Sequence, residues 1–162
     1  ADRPMWDLLL VGDGPLRESL AASVSPALAS RIQWTGFVDD QTIMSAIYRC
    51  CDVLAHPAEI EPWALVITEA AAAGLAIVAS DAVGAAAELV RDGVNGRLFA
   101  AGDVPALRAA ILEVTLAGKT QAYQAASAAV LAAWRRRADP VRTVRRLMQI
   151  ADPPRDDVQE PS

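Results

Sequence analysis

"DVLAHPAEIEPWALVITEAAAAGLAIVAS", residues 52–80, holds two changes of pattern that set the architecture. "DVLAHP" (52–57) is a short apolar run stopped by Pro57, and "LAIVAS" (75–80) is another. Runs of this length bounded by turn residues read as buried strands. Between them residues 63–73 are apolar, Ala-rich and closed by Gly74, which reads as a helix. The same alternation extends both ways. Strands are expected at 6–12, 31–37 and 96–99, and helices at 15–24, 40–50 and 85–93. From Val104 onward the pattern is helical, over 104–114, about 119–137 and 140–151. Strands that are apolar on both faces and alternate with helices make a parallel sheet covered by helices, an α/β fold. Residues 1–151 read as one domain, and 152–162, rich in Pro and charge, as a loose tail.

Bulk composition removes several classes of function. A formal charge of −5 opposes nonspecific nucleic-acid binding, which needs a basic face to displace counterions. No apolar run reaches the ~18–20 residues of a membrane span, and nothing resembles a signal peptide, so a cytoplasmic protein is expected. Cys50 and Cys51 are adjacent, with Cα atoms only ~3.8 Å apart, so a bridge between them would be strained and both read as reduced thiols. The arginines at 135–137, with Arg142, Arg145 and Arg146, form the one basic region. A solvated face or a packing surface is expected there, with membrane contact a lesser reading.

In parallel sheets ligands bind beyond the carboxyl ends of the strands, which directs attention to the loops at 12–15, 36–40, 56–64 and 80–85. "VGDGP" (11–15) lacks the third Gly of a dinucleotide fingerprint, because Arg17 stands there, and it lacks the Lys of a phosphate-binding loop. It reads as a tight strand-to-helix turn. The start of the 63–73 helix is more informative, since the first amides of a helix point outward unpaired and suit an anion such as a diphosphate. The amides of Ala64, Leu65 and Val66 are expected there. Glu69 lies four residues past Leu65, ~6 Å along the axis, a reach that fits a ribose diol. Glu61 precedes the helix and would face the sugar end. The plain alternative is a Glu61 that complements the helix terminus and a solvated Glu69. His56, the sole histidine, reads as a partly buried polar residue at the pocket rim.

The run "EPWALVITEAAAAGLAIVASDAVGAAAELVRDGVNGRLF" (61–99) resembles the donor-binding core of the retaining GT-B-fold glycosyltransferases of family 4, the glycosyl transferases group 1 type. The likeness rests on Glu61 and Glu69, Gly74, Ala79-Ser80, Asp92-Gly93 and Asn95-Gly96, and it extends over about 8–150. It implies a Rossmann-like domain, the C-terminal half of a GT-B enzyme, that transfers a sugar from a nucleotide-diphosphate sugar with retention and without a metal or other cofactor. By resemblance Glu61 is the catalytic-site glutamate beside the donor hexose. Trp63 and Ala64 offer backbone to the sugar, Leu65 and Val66 offer amides to the diphosphate, Glu69 holds the ribose, and Val38 and Asp40 line the base pocket. Ala64 replaces a customary Gly, so a methyl group is expected to crowd the sugar. Ala76 replaces a common Pro. The resemblance also implies an upstream strand, with an Arg and a Lys, and an N-terminal half that supplies the acceptor site. That strand's place lies between the strands at 6–12 and 52–55, where a gap is expected, and these 162 residues alone are expected to be inactive. A GT-B epimerase and a non-catalytic nucleotide-sugar-binding subunit are the competing readings.

Overall fold

The computed structural model describes residues 6–139 and, beyond them, Val141, Val144, Arg145 and Met148. Its order is β1 (Leu8–Val11), α1 (Arg17–Ser23), α2 (Pro26–Ala29), β2 (Ile32–Gly36), α3 (Gln41–Cys50), β3 (Val53–His56), α4 (Leu65–Ala73), β4 (Ala76–Ser80), α5 (Gly84–Leu89), β5 (Gly96–Phe99), α6 (Val104–Val114) and α7 (Lys119–Arg137). The helix expected over 140–151 and the tail at 152–162 fall largely outside the described residues.

All pairings between strands are parallel, but they form two ladders, β1–β2 and β3–β4–β5. The break falls between β1 and β3, where the resemblance places a further strand. β4 is the centre of the larger ladder and every one of its residues is buried. Its alternating side chains feed two cores, as the period of two in a strand requires. Ile77 and Ala79 pack with Ile67, Ala70 and Ala71 of α4, with Ala85, Ala86 and Leu89 of α5, and with Leu131 of α7. Ala76 and Val78 pack on the opposite side with Phe99, Ala110, Val114 and Tyr123. Burial on both faces explains why β4 is apolar without alternation.

Local chemistry sets the helix ends, and several depart from the pattern, α4 among them, which starts at Leu65 and not at 63. The first helix starts at Arg17 and not at residue 15, because Gly12 (φ 124°) turns the chain and the Asp13 carboxylate accepts from the Gly14 amide at 2.8 Å. Arg17, which breaks the dinucleotide pattern, pairs with Asp13 at 3.2 Å. The short α2, opened by Pro26, was not anticipated. α5 ends at Leu89 and not at 93, because the Asn95 side chain accepts from the Arg91 amide at 2.7 Å and donates to the Leu89 carbonyl at 2.9 Å. Fully buried, Asn95 shapes the turn into β5. α3 and α6 are capped by Asp40 and Asp103. Among the described residues no helix is long and apolar enough to cross a membrane. Cys50 and Cys51 are free thiols, and burial raises the pKa of Cys51.

Candidate active site

The loop between β3 and α4 is tied to the start of α5. The amide of Gly84 donates to the Glu61 carbonyl at 3.1 Å, and that of Ala85 to the Trp63 carbonyl at 2.8 Å. A Cβ on Gly84 would lie 2.0 Å from the Pro62 carbonyl oxygen, so only glycine allows this approach. The Ser80 hydroxyl, at the carboxyl end of β4, donates to the Ala58 carbonyl. These bonds present the first turn of α4 beyond the carboxyl ends of β3 and β4.

On that turn Glu61 has a definite task. Its Oε1 accepts from the amides of Trp63 and Ala64 at 3.2 and 3.1 Å, while no hydrogen bond engages Oε2 among the described residues. Three amides were expected to be open, and the Ala64 amide is instead taken by Glu61. The amides of Leu65 and Val66 bond to nothing among the described residues and are open to an acceptor. Trp63 has its amide and its carbonyl both engaged, and its ring lies 6.0 Å from that of Trp134 of α7.

Ala64 has φ +68°, the one positive value at a non-glycine among the described residues. Ala64 is buried and belongs to the cluster under α4. Glycine at this position would relieve about 1–2 kcal/mol of left-handed strain. It would lose about 0.8 kcal/mol of methyl burial and a further 0.5–1 kcal/mol to chain entropy. Ala64→Gly should therefore melt within about 1 kcal/mol of the parent chain, whereas β-branched Ala64→Val should cost more than about 2 kcal/mol. Denaturant melts of the two variants check this, and equal losses would rule the account out.

Glu69 is half-buried. Its Oε2 accepts a hydrogen bond from the Tyr48 hydroxyl of α3 at 2.9 Å. Beside this pair lies a cleft of about 300 Å³ between the two helices, lined by Gln41, Ser45, Tyr48 and Arg49 of α3 and by Glu69, Ala72 and Ala73 of α4. Burial, and then the Glu69 carboxylate, push the Tyr48 hydroxyl well above the usual tyrosine range. Sequence spacing offered no signal for this contact, because it joins residues 21 apart on different helices.

The remaining expected residues divide. Asp40 is the N-cap of α3, accepting from the amides of Thr42 and Ile43 at 2.7 and 3.1 Å, bonds that lower its pKa. That carboxylate is engaged by the helix, and Val38 is half-buried beside it in the chain. His56 ends β3 with a buried Nε2 that has no hydrogen-bond partner among the described residues; burial lowers its pKa below the ordinary 6.5, with the Glu61 charge opposing. Arg135, Arg136 and Arg137 are exposed, and Arg137 pairs with Glu88 at 3.4 Å, while Arg142 and Arg146 lie outside the described residues.

The parallel α/β domain thus carries an open helix terminus with a carboxylate just before it and another one turn into the helix. The family model described as glycosyl transferases group 1 matches residues 1–117, and the chain belongs to that family. The phosphatidyl-myo-inositol mannosyltransferase of Mycolicibacterium smegmatis is 36% identical over 112 residues, covering 68% of this chain and 28% of that protein. Anabaena HepE, solved in complex with UDP-glucose, matches 91% of this chain and 41% of its own, with 28% identity and TM-score 0.68. Sucrose-phosphate synthase from Thermosynechococcus elongatus matches 91% of this chain and 40% of its own, at 26% identity and TM-score 0.71. The fold is that of a GT-B glycosyltransferase domain. The chain spans less than a third of the length of the mannosyltransferase it matches.

Proposed function

We propose that this chain grips the nucleotide-diphosphate sugar donor of a retaining glycosyltransferase that moves a hexosyl group to an acceptor. The observation that carries the reading is the first turn of α4, where the Leu65 and Val66 amides, unpaired among the described residues, stand in the chain between two carboxylates that each have one oxygen without a hydrogen bond among those residues. The two amides receive the diphosphate, stabilising the charge that grows on it as the glycosyl bond breaks. Glu69 takes the ribose diol. Glu61, held rigid by the amides it accepts from, offers Oε2 to the hexose near the reacting carbon. No metal or other cofactor is required in this scheme, and the reaction belongs to the cytoplasm. Acceptor binding and transfer fall to segments of the full enzyme other than these residues, so residues 1–162 are expected to bind donor without turning it over.

Calorimetric titration with UDP, GDP and ADP tests the reading. One diphosphate should bind, and Glu69→Ala should weaken it by roughly tenfold or more, the loss of a charged acceptor with two hydroxyl partners. Failure of the folded chain to bind any of the three would overturn the proposal. Equal binding by Glu69→Ala would remove Glu69 from the site.

A further inference from the structure

The carboxylate assigned to the ribose does not stand free. A glutamate on a helix surface samples several rotamers, and fixing one costs side-chain entropy of up to about 1.5–2 kcal/mol. Here the Tyr48 hydroxyl donates to Oε2 of Glu69 at 2.9 Å, so this ordering is already complete in the ligand-free chain. Tyr48 is itself well anchored. The residue is 7% exposed and belongs to the core cluster that includes Ile67, Ala70 and Ala71 of α4. The anchor and the group it holds therefore rest on one packed body. A carboxylate is an acceptor at both oxygens, with about two lone pairs on each. One hydrogen bond from Tyr48 leaves Oε1 whole and a second position on Oε2, enough for the two hydroxyls of a vicinal diol.

We propose that Tyr48 is a positioning residue of the donor site, which locks Glu69 in the rotamer that accepts both ribose hydroxyls and so makes the site selective for ribo- over deoxyribonucleotides. The inference rests on the ribose-binding reading of Glu69 given above. Tyr48 is assigned no contact with the reacting atoms, and its part in binding runs through the carboxylate. A structural staple between α3 and α4 would use the same hydrogen bond, but it would not distinguish ligands by their hydroxyl groups. The cleft beside the pair leaves the carboxylate open to a ligand on one side.

The experiment titrates the chain and Tyr48→Phe with UDP, 2′-deoxy-UDP, GDP and 2′-deoxy-GDP. Removing the hydroxyl should weaken the ribonucleotide that binds by roughly three- to tenfold, part of the side-chain entropy that fixing a freed Glu69 would then cost on binding. It should weaken the deoxy analogue less, because that ligand keeps only its 3′-hydroxyl for Glu69, so the ribo-to-deoxy preference falls. An equal loss on both ligands makes the bond a staple and overturns the proposal. Unchanged UDP and GDP binding overturns it as well, while leaving the donor-site reading intact. Absence of nucleotide binding in the parent chain overturns both. A ligand-free measurement separates the contact from its use: ultraviolet titration of the tyrosines should show Tyr48 ionising at lower pH in Glu69→Gln than in the parent chain, because the carboxylate's charge and strong acceptor are gone. An unchanged titration would show that Tyr48 does not hold Glu69 in solution.

Discussion

Gly96→Ala should destabilise the chain by about 3 kcal/mol or more, at the top of the range for overpacking a filled interior. A Cβ at this position would lie 1.8 Å from the carbonyl oxygen of Ile77 and 2.8 Å from its carbon. Both are backbone atoms of the fully buried β4, so no side chain can swing aside. The methyl group must drive β5 off β4, and the register that pairs Ile77 with Gly96 through Ser80 with Phe99 would be disturbed from its first rung. For a chain of this length such a loss lowers the melting temperature by roughly 6–12 °C. Gly14→Ala is the matched control, since nothing lies within 4 Å of its Cβ position and its φ is not positive. That change should be neutral or stabilise by up to about 1 kcal/mol through the unfolded chain. Similar melts for the two variants would refute the close-contact account.

Gly84→Ala should separate binding from stability. Its Cβ would sit 2.0 Å from the carbonyl oxygen of Pro62 and 3.6 Å from the Cα of Trp63. Relief here displaces the loop that carries Glu61, because the Gly84 and Ala85 amides hold that loop through the Glu61 and Trp63 carbonyls. A shift of the order of 1 Å carries the Glu61 carboxylate and the α4 amides out of register with the ligand. Such misplacement costs on the order of a hundredfold in function where geometry is decisive, and a loss of at least tenfold in diphosphate affinity is expected. Gly96→Ala, compared at a temperature where both variants are folded, should bind nearly as the parent does. If Gly84→Ala binds like Gly96→Ala, the loop has enough slack to absorb the methyl group and the pinning argument fails.

Strands and helices were legible wherever one physical signal dominated. β4 is apolar at four of its five residues and is buried on both faces, so neither reading had to choose a face. Gly74 closes α4 in a left-handed cap (φ 81°), as a glycine at the end of an apolar helical run suggests. Helix ends set by distant side chains were not legible. α5 stops early because of Asn95, whose amide reaches back across the turn, and a period-based reading has no access to that bond. For the candidate site, the sequence set Glu61 just before the α4 helix and Glu69 one turn into it, as the structure has them. It did not show that Glu61 would bond the Trp63 and Ala64 amides, or that Asp40 would be engaged as a cap. Tyr48 was read only as part of a helix, because its significance arises from the packing of α3 on α4. Gly84 was quoted within the motif without a role, and only the closeness of the Pro62 carbonyl supplies one.

The division into two ladders has a consequence for how firmness is distributed along the chain. No residue of β1, α1, α2 or β2 enters either core cluster, and Leu8, Val11, Leu16, Leu20 and Leu28 remain exposed. Opening free energies follow buried apolar contact, so in these residues the first ladder is expected to open more readily than β3–β4–β5. Amide protons of β4 then exchange only on global unfolding, while those of β1 and β2 exchange through this partial opening. The carboxylates and amides assigned to the donor sit wholly on the slow-exchanging side of that boundary, on α4 and the loop before it.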